Sequence, residues 1–222
     1  MLTSSMPRRS ICRADGFTLI EVLISVLILM IGLLGVAGLQ GKAVKVEFES
    51  YQRAQALTLA RDMAGRIAGS RGIVTAGYLD GSVSSTDGSV YFGSGSGATD
   101  YSNGAGACVL GGTTALAKAK YEVCQWGLAL QGSNEKEGAS NVGAMIGARG
   151  CLLSNDTSLS GALADFYVVV VWQATSAGTE PSGMVSGEPA SPGSQCASAF
   201  AFGSGLRRAV TVRVMVPNLV SP

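Results

Sequence analysis

The 222-residue chain contains no histidine. Its absence excludes Ser-His-Asp and Cys-His nucleophilic catalysis, and with them histidine-rich metal sites. No G-x-S-x-G, Walker A or C-x-x-C spacing occurs either, which removes the commonest hydrolase, phosphate-binding and redox motifs. The run Gly93-Ser94-Gly95-Ser96-Gly97 lacks the strand-to-helix setting of a phosphate loop and reads as a flexible loop. Charge is scarce: only 14% of residues are ionisable acids or bases, 16 basic against 15 acidic. A broad basic surface for nucleic acid is therefore not favoured. No catalytic residue, cofactor site or metal site is expected, and the chain does not read as an enzyme.

What is present is a sharp asymmetry at the N-terminal end. Residues 1–16 are hydrophilic, with Arg8, Arg9 and Arg13 against the single acid Asp15, the composition of a cytoplasmic-side targeting peptide. Polarity changes at Phe17, and an apolar run continues to Leu39. A secretory signal has an apolar core of about 7–15 residues before its cleavage site. This run of about 23 residues instead suffices to span a bilayer at about 1.5 Å per residue. One carboxylate, Glu21, interrupts it. An ionised acid at membrane depth costs about 2.5–3.5 kcal/mol on insertion scales, so it calls for a partner or a function.

A basic leader ending in Gly16, then Phe17-Thr18-Leu19-Ile20-Glu21, then an uninterrupted apolar helix resembles a type IV prepilin. The resemblance implies that a membrane-embedded prepilin peptidase cuts between Gly16 and Phe17 and that the new Phe17 amine is methylated. Glu21 would then lie one helical turn from that amine, within reach of its own or a neighbouring subunit's ammonium group. Such a pair offsets two desolvation costs together. The plainer alternative is a single-span anchor that keeps its leader and holds Glu21 near the headgroups. Asp15 departs from the family pattern, in which a basic residue often precedes the glycine. The proline that kinks many major pilin stems is absent. Gly32, Gly35, Gly38 and Gly41 form a three-residue stripe that either lets the stem bend or unwind on packing, or is simply tolerated in a membrane helix.

Beyond the run the pattern turns amphipathic. Val44, Phe48, Tyr51, Ala54, Leu57, Ala60, Ala64 and Ile67 keep mostly three- and four-residue steps, with Lys45, Glu49, Gln52, Arg61 and Asp62 mostly off that face. One helix is expected from Phe17 to about Ala68, ended by Gly69 to Gly72. Residues 53–67 and 31–40 also resemble the corresponding helix of PilV-type minor pilins. Residues 72–106, rich in glycine, serine and aspartate, are expected to form an extended loop or short irregular strands. They read as a passive variable loop or, less simply, an exposed receptor-binding insertion. A second helix is expected over 113–130, with Trp126 as a core or interface anchor. Strands are expected over about 142–152, 165–174 and 206–216, with a long loop over 175–195. Asn155-Asp156-Thr157 matches a glycosylation acceptor and reads as an ordinary turn.

The expected fold is α+β, a type IV pilin-like lollipop whose long N-terminal helix packs on a small antiparallel β-sheet. Three segments are expected: a leader peptide (1–16), a transmembrane and fibre-core stem (17–41) and a periplasmic globular domain (42–222). Removing the leader would leave 13 basic and 14 acidic residues, a formal charge of −1. Cys12 lies in the leader. Cys108, Cys124, Cys151 and Cys196 form an even set in an exported domain, which points to two disulfides with three connectivities open to them. Pairing of Cys108 with Cys124 and of Cys151 with Cys196 is favoured because the first pair brackets one local segment. Free buried thiols or a four-thiolate zinc site are the alternatives.

By resemblance, the chain is expected to be a non-catalytic minor pilin that helps prime and assemble type IV pili, for twitching motility or adhesion. It would reside in the bacterial inner membrane with its domain in the periplasm, then in the fibre at the cell surface. Its partners would be the prepilin peptidase, other minor pilins, the major pilin and the inner-membrane assembly platform. A type II secretion pseudopilin and a tip-located, surface-binding adhesin are the alternatives.

Overall fold

The computed structural model describes residues 16–70, 77–102, 107–154, 163–182, 191–200 and 202–217. The leader up to Asp15, the Asn155-Asp156-Thr157 turn and parts of the two long loops lie outside them. The chain divides into two compact units, Met1–Val46 and Glu47–Pro222.

Helix α1 runs unbroken from Leu19 to Gly69. In the first unit every described residue is exposed, and no atom approaches the places where Cβ atoms would stand on Gly32, Gly35, Gly38 and Gly41. The helix is long and apolar enough to cross a membrane, and in this unit its large apolar side chains are exposed among the described residues.

In the second unit the rest of α1 buries Gln52, Ala56, Leu59, Ala60, Met63, Ala64 and Ile67. This face differs from the expected one. Tyr51 is 56% exposed whereas Gln52 is 2% exposed, and Ala54 and Leu57 lie outside the buried stripe. Alanine and leucine occur on several sides of this helix, so spacing alone does not fix which side faces the core. Helix α2 (Ala115–Leu130) starts at the N-cap Thr114, whose hydroxyl accepts from Ala117 N–H at 3.2 Å, satisfying one unpaired first-turn donor. Trp126 is completely buried and donates its indole N–H to Leu59 O of α1 at 2.9 Å. It is a core anchor between the two helices.

The sheet has four strands in the order β1 (Phe92–Gly93), β4 (Arg149–Ser154), β5 (Leu163–Gln173) and β6 (Arg207–Pro217). All its ladders are antiparallel. A separate hairpin joins β2 (Lys136–Glu137) to β3 (Ser140–Asn141). The fold is thus the expected α+β class, a long N-terminal apolar helix followed by a small antiparallel sheet. The β-branched run of β5 is buried on both faces, which is why it reads as continuous rather than alternating. On one face Phe166, Val168, Val170 and Trp172 meet the helical core. On the other, Val169 and Val171 join Cys151, Leu153, Cys196 and Phe202 in a second cluster.

The strand expected over 142–152 begins only at Arg149. Ahead of it, Ala148 N–H bonds back to Met145 O and Gly147 takes a φ of 61°, so the chain turns before it extends. Within the range 72–106, the described residues 77–102 are more than an exposed loop. Tyr78, Leu79, Val83 and Phe92 are all in the core, set between three Asp-x-Ser turns in which Asp80, Asp87 and Asp100 accept from Ser82, Ser89 and Ser102. The glycine-serine run is not loose either. Tyr91 donates to Ser96 O at 2.7 Å, and a Cβ on Gly97 would stand 2.8 Å from the Tyr91 hydroxyl. In the loop over 175–195, the short helix α3 (Pro192–Gln195) is opened by a capping box between Ser191 and Ser194.

Disulfides join Cys108 to Cys124 and Cys151 to Cys196. The second ties β4 to the segment that follows α3 and covers the outer sheet face. Two arginines are buried there, each 1% exposed. The Arg149 guanidinium carbon lies 3.4 Å from the Phe200 ring centre. Arg207 donates to Gly193 O at 3.1 Å, to Phe200 O at 3.3 Å and to Cys196 O. Burial lowers the pKa of both guanidinium groups.

Candidate functional site

The candidate site is the start of α1. Thr18 stands just before the first helical residue. Its carbonyl accepts from Glu21 N–H at 3.1 Å and from Val22 N–H at 3.3 Å, and its hydroxyl also accepts from Glu21 N–H at 3.4 Å. Thr18-Leu19-Ile20-Glu21 is therefore the S/T-x-x-E spacing of a capping box, with the threonine half formed. That signal stands in the sequence and the family motif obscured it. It gives Glu21 a second physical role, a negative charge in the first turn where the helix dipole favours one.

The four-residue spacing puts Phe17, Glu21, Ser25 and Leu29 on one side of the helix. These four, with Val22 and Val26, line a shallow groove of about 360 Å³. Ser25 donates to Glu21 O at 2.7 Å, so its hydroxyl is satisfied by the helix itself. Phe17 is 84% exposed, and no atom lies within 4 Å of a Cβ built on Gly16. Among the described residues nothing packs against Gly16 or covers Phe17. The structure brings Phe17 and Glu21 onto a common face. Cys108, Cys124, Cys151 and Cys196 belong to the second unit and form its two crosslinks.

Among the described residues no group of three or more Cys, Asp or Glu side chains is arranged to hold a metal ion. Two carboxylates on the helices of the second unit have shifted pKa values. Glu49 on α1 accepts from Ser176 N–H and the Thr175 hydroxyl, both at 3.0 Å, and from the Ser176 hydroxyl. These bonds, led by that of the Ser176 side chain, lower its pKa. Glu122 on α2 accepts from the Tyr78 hydroxyl, and desolvation raises its pKa. Both contacts tie the helices to loops, and neither pairs a nucleophile with a base.

Residues 12–37 match the family model described as the prokaryotic N-terminal methylation motif. The match supports a type IV pilin-family protein. For such a prepilin-like chain the motif implies processing by a prepilin peptidase and association with the membrane. It points to a structural, non-catalytic protein, and with α1 it fits inner-membrane anchoring. Neither the curated proteins nor the solved structures contain a significant match to this chain.

Proposed function

We propose that this protein is a minor pilin of a bacterial type IV pilus, cut between Gly16 and Phe17 and methylated on the Phe17 amine. The observation that carries the proposal is the joint exposure of Phe17 and Glu21 on one face of a helix that buries nothing in its own chain up to Val46. An apolar surface of that length is suited to lipid first and to neighbouring stems afterwards. Exchanging one for the other changes little in hydrophobic terms, so packing and the charge pair must supply the specificity. Cleavage converts the Phe17 nitrogen from an amide into an ammonium group one turn from Glu21. The carboxylate then registers the incoming stem against that group, its own or a neighbour's.

In this reading the second unit stays in the periplasm until the stem is drawn into a fibre at the cell surface. The prepilin peptidase, other minor pilins, the major pilin and the inner-membrane assembly platform are its partners. The resemblance of the helix segments over 31–40 and 53–67 to PilV-type minor pilins supports a role with the priming set rather than the bulk of the fibre. Glu21→Ala tests the mechanism: the variant should be processed and membrane-resident yet enter sheared pili poorly. Incorporation equal to that of the parent protein would remove the registration role.

A further inference from the structure

The strand β6 is the long outer edge of the sheet, and its register shows which backbone groups face outward. Ala174 N–H donates to Leu206 O at 2.8 Å, just where the pairing of Gln173 with Arg207 leads into the turn. The Leu206 carbonyl therefore faces β5, while its N–H closes the turn onto Gly203 O at 3.3 Å, and by the two-residue alternation of an antiparallel ladder Arg208, Val210, Val212 and Val214 also face β5. The odd-numbered residues point their N–H and C=O groups away from the sheet. Arg207 agrees, since its N–H turns outward to the Glu180 carboxylate at 3.5 Å. From Ala209 through Thr211 and Arg213 to Met215, none of these outward groups has a partner among the described residues. An edge this long is usually blunted by a covering element or a bulge, because it is a template for another strand.

The side chains flanking the edge describe what would fit. Toward the helices, Val210 and Val212 are half-buried against the main core, so an incoming strand with apolar residues on that side extends an existing apolar surface. On the other side, Arg213 is bonded to Asp165 of β5 at 2.7 Å, which leaves its far side open to a second carboxylate. At the Arg207 end lies a cavity of about 540 Å³, lined in part by Ala209, Thr211, Arg208, Arg53 and one acid, Glu180, whose carboxylate is already engaged by the Arg207 N–H. Arg208 is spent on the carbonyls of Ser176 and Gly205, at 2.9 Å each. The guanidinium of Arg53 has no acceptor among the described residues.

We propose that the β6 edge from Ala209 to Met215 binds an extended segment of a partner polypeptide as an added antiparallel strand, apolar toward the helices and acidic on its other side. Backbone bonds to the odd-numbered residues supply affinity, and side chains set the choice of partner. Antiparallel addition brings the C-terminal end of the incoming strand to the cavity, where its terminal carboxylate, which belongs to neither face, meets Arg53. A second copy of this chain fits less well, since β6 offers arginines and no acid to another β6. This inference does not depend on the processing of the N-terminus.

The probe is the acetylated peptide Thr-Val-Glu-Val-Thr-Val-Glu, added at millimolar concentration to the full chain in detergent and read by amide hydrogen exchange. The amides of Ala209, Thr211, Arg213 and Met215, fast in the free protein, should slow by about tenfold or more on binding. The amidated peptide with lysine in place of both glutamates should not protect them. Arg53→Glu should weaken protection about fivefold. Thr211→Pro should abolish it while the amides of Val210 and Val212 stay protected, because the lost N–H belongs to no internal bond. Absence of protection, protection equal with the lysine peptide and unchanged in Arg53→Glu, or protection from self-association without peptide would each overturn the proposal.

Discussion

Replacing Cys151 and Cys196 together by alanine releases the segment that covers the outer sheet face. The crosslink spans 45 residues, and in the chain-entropy account a loop of that size contributes about 4 kcal/mol. The Cys108–Cys124 crosslink, spanning 16, contributes about 3 kcal/mol by the same relation. The difference should widen in practice because of what lies under the released segment. Arg207 takes three of its acceptors from residues Gly193, Cys196 and Phe200, and Arg149 rests against Phe200. A loosened cover removes partners from two buried cations, which is costly. Urea unfolding of the full chain in a nonionic detergent, followed by the fluorescence of Trp126 and Trp172, reads the loss. A cost below about 1 kcal/mol, or one smaller than that of removing Cys108 and Cys124, would refute the reasoning.

Four further outcomes follow from other residues. Gly150→Ala should destabilise the domain by about 1–3 kcal/mol in the same assay, because its new methyl group would stand 2.7 Å from Leu130 Cδ1 and closer still to the Trp126 ring; parental stability would contradict that packing. Glu122 binds its proton more tightly when folded than unfolded, so its contribution should decline as pH rises above the ordinary glutamate value of 4.5. Glu122→Gln should flatten that slope, and an unchanged slope would exclude Glu122 as its source. Glu49, Asp80 and Asp87 are shifted the other way; their stabilisation is present above their ordinary range and is lost as pH falls through the lowered values, so acid unfolding should shift upward in pH in Asp80→Asn. Finally, Gly16→Val should block cleavage, and a Gly16→Val protein that still begins at Phe17 would refute the assignment of the cut.

The parts of the fold that could be read from sequence are those whose signal is local and repeated. The apolar run from Phe17, the valine-rich β5 and the alternation of β6 each carry many residues of one pattern, and each forms the expected element. The Cys108–Cys124 pair brackets a single segment, and the structure joins it. Tyr78, Leu79, Val83 and Phe92 escaped because they stand singly among Asp-x-Ser turns and glycines, with no period to mark them as core. Arg149 and Arg207 escaped for a different reason: nothing in a sequence marks an arginine whose neutral partners are ring faces and backbone carbonyls. The start of α1 was legible as a processing motif, although Thr18 and Glu21 also spell a helix cap. The open edge of β6 was invisible, since being last in a sheet is a property of topology rather than of the strand.

The proposed assembly requires that Phe17 become the N-terminus and that its amine face Glu21. Intact and N-terminal peptide mass spectrometry of the protein purified from its own cell envelope tests this most directly. The expected result is a chain beginning at Phe17 and carrying one N-methyl group. A chain that retains residues before Phe17, or one that begins elsewhere in the apolar run, would contradict it.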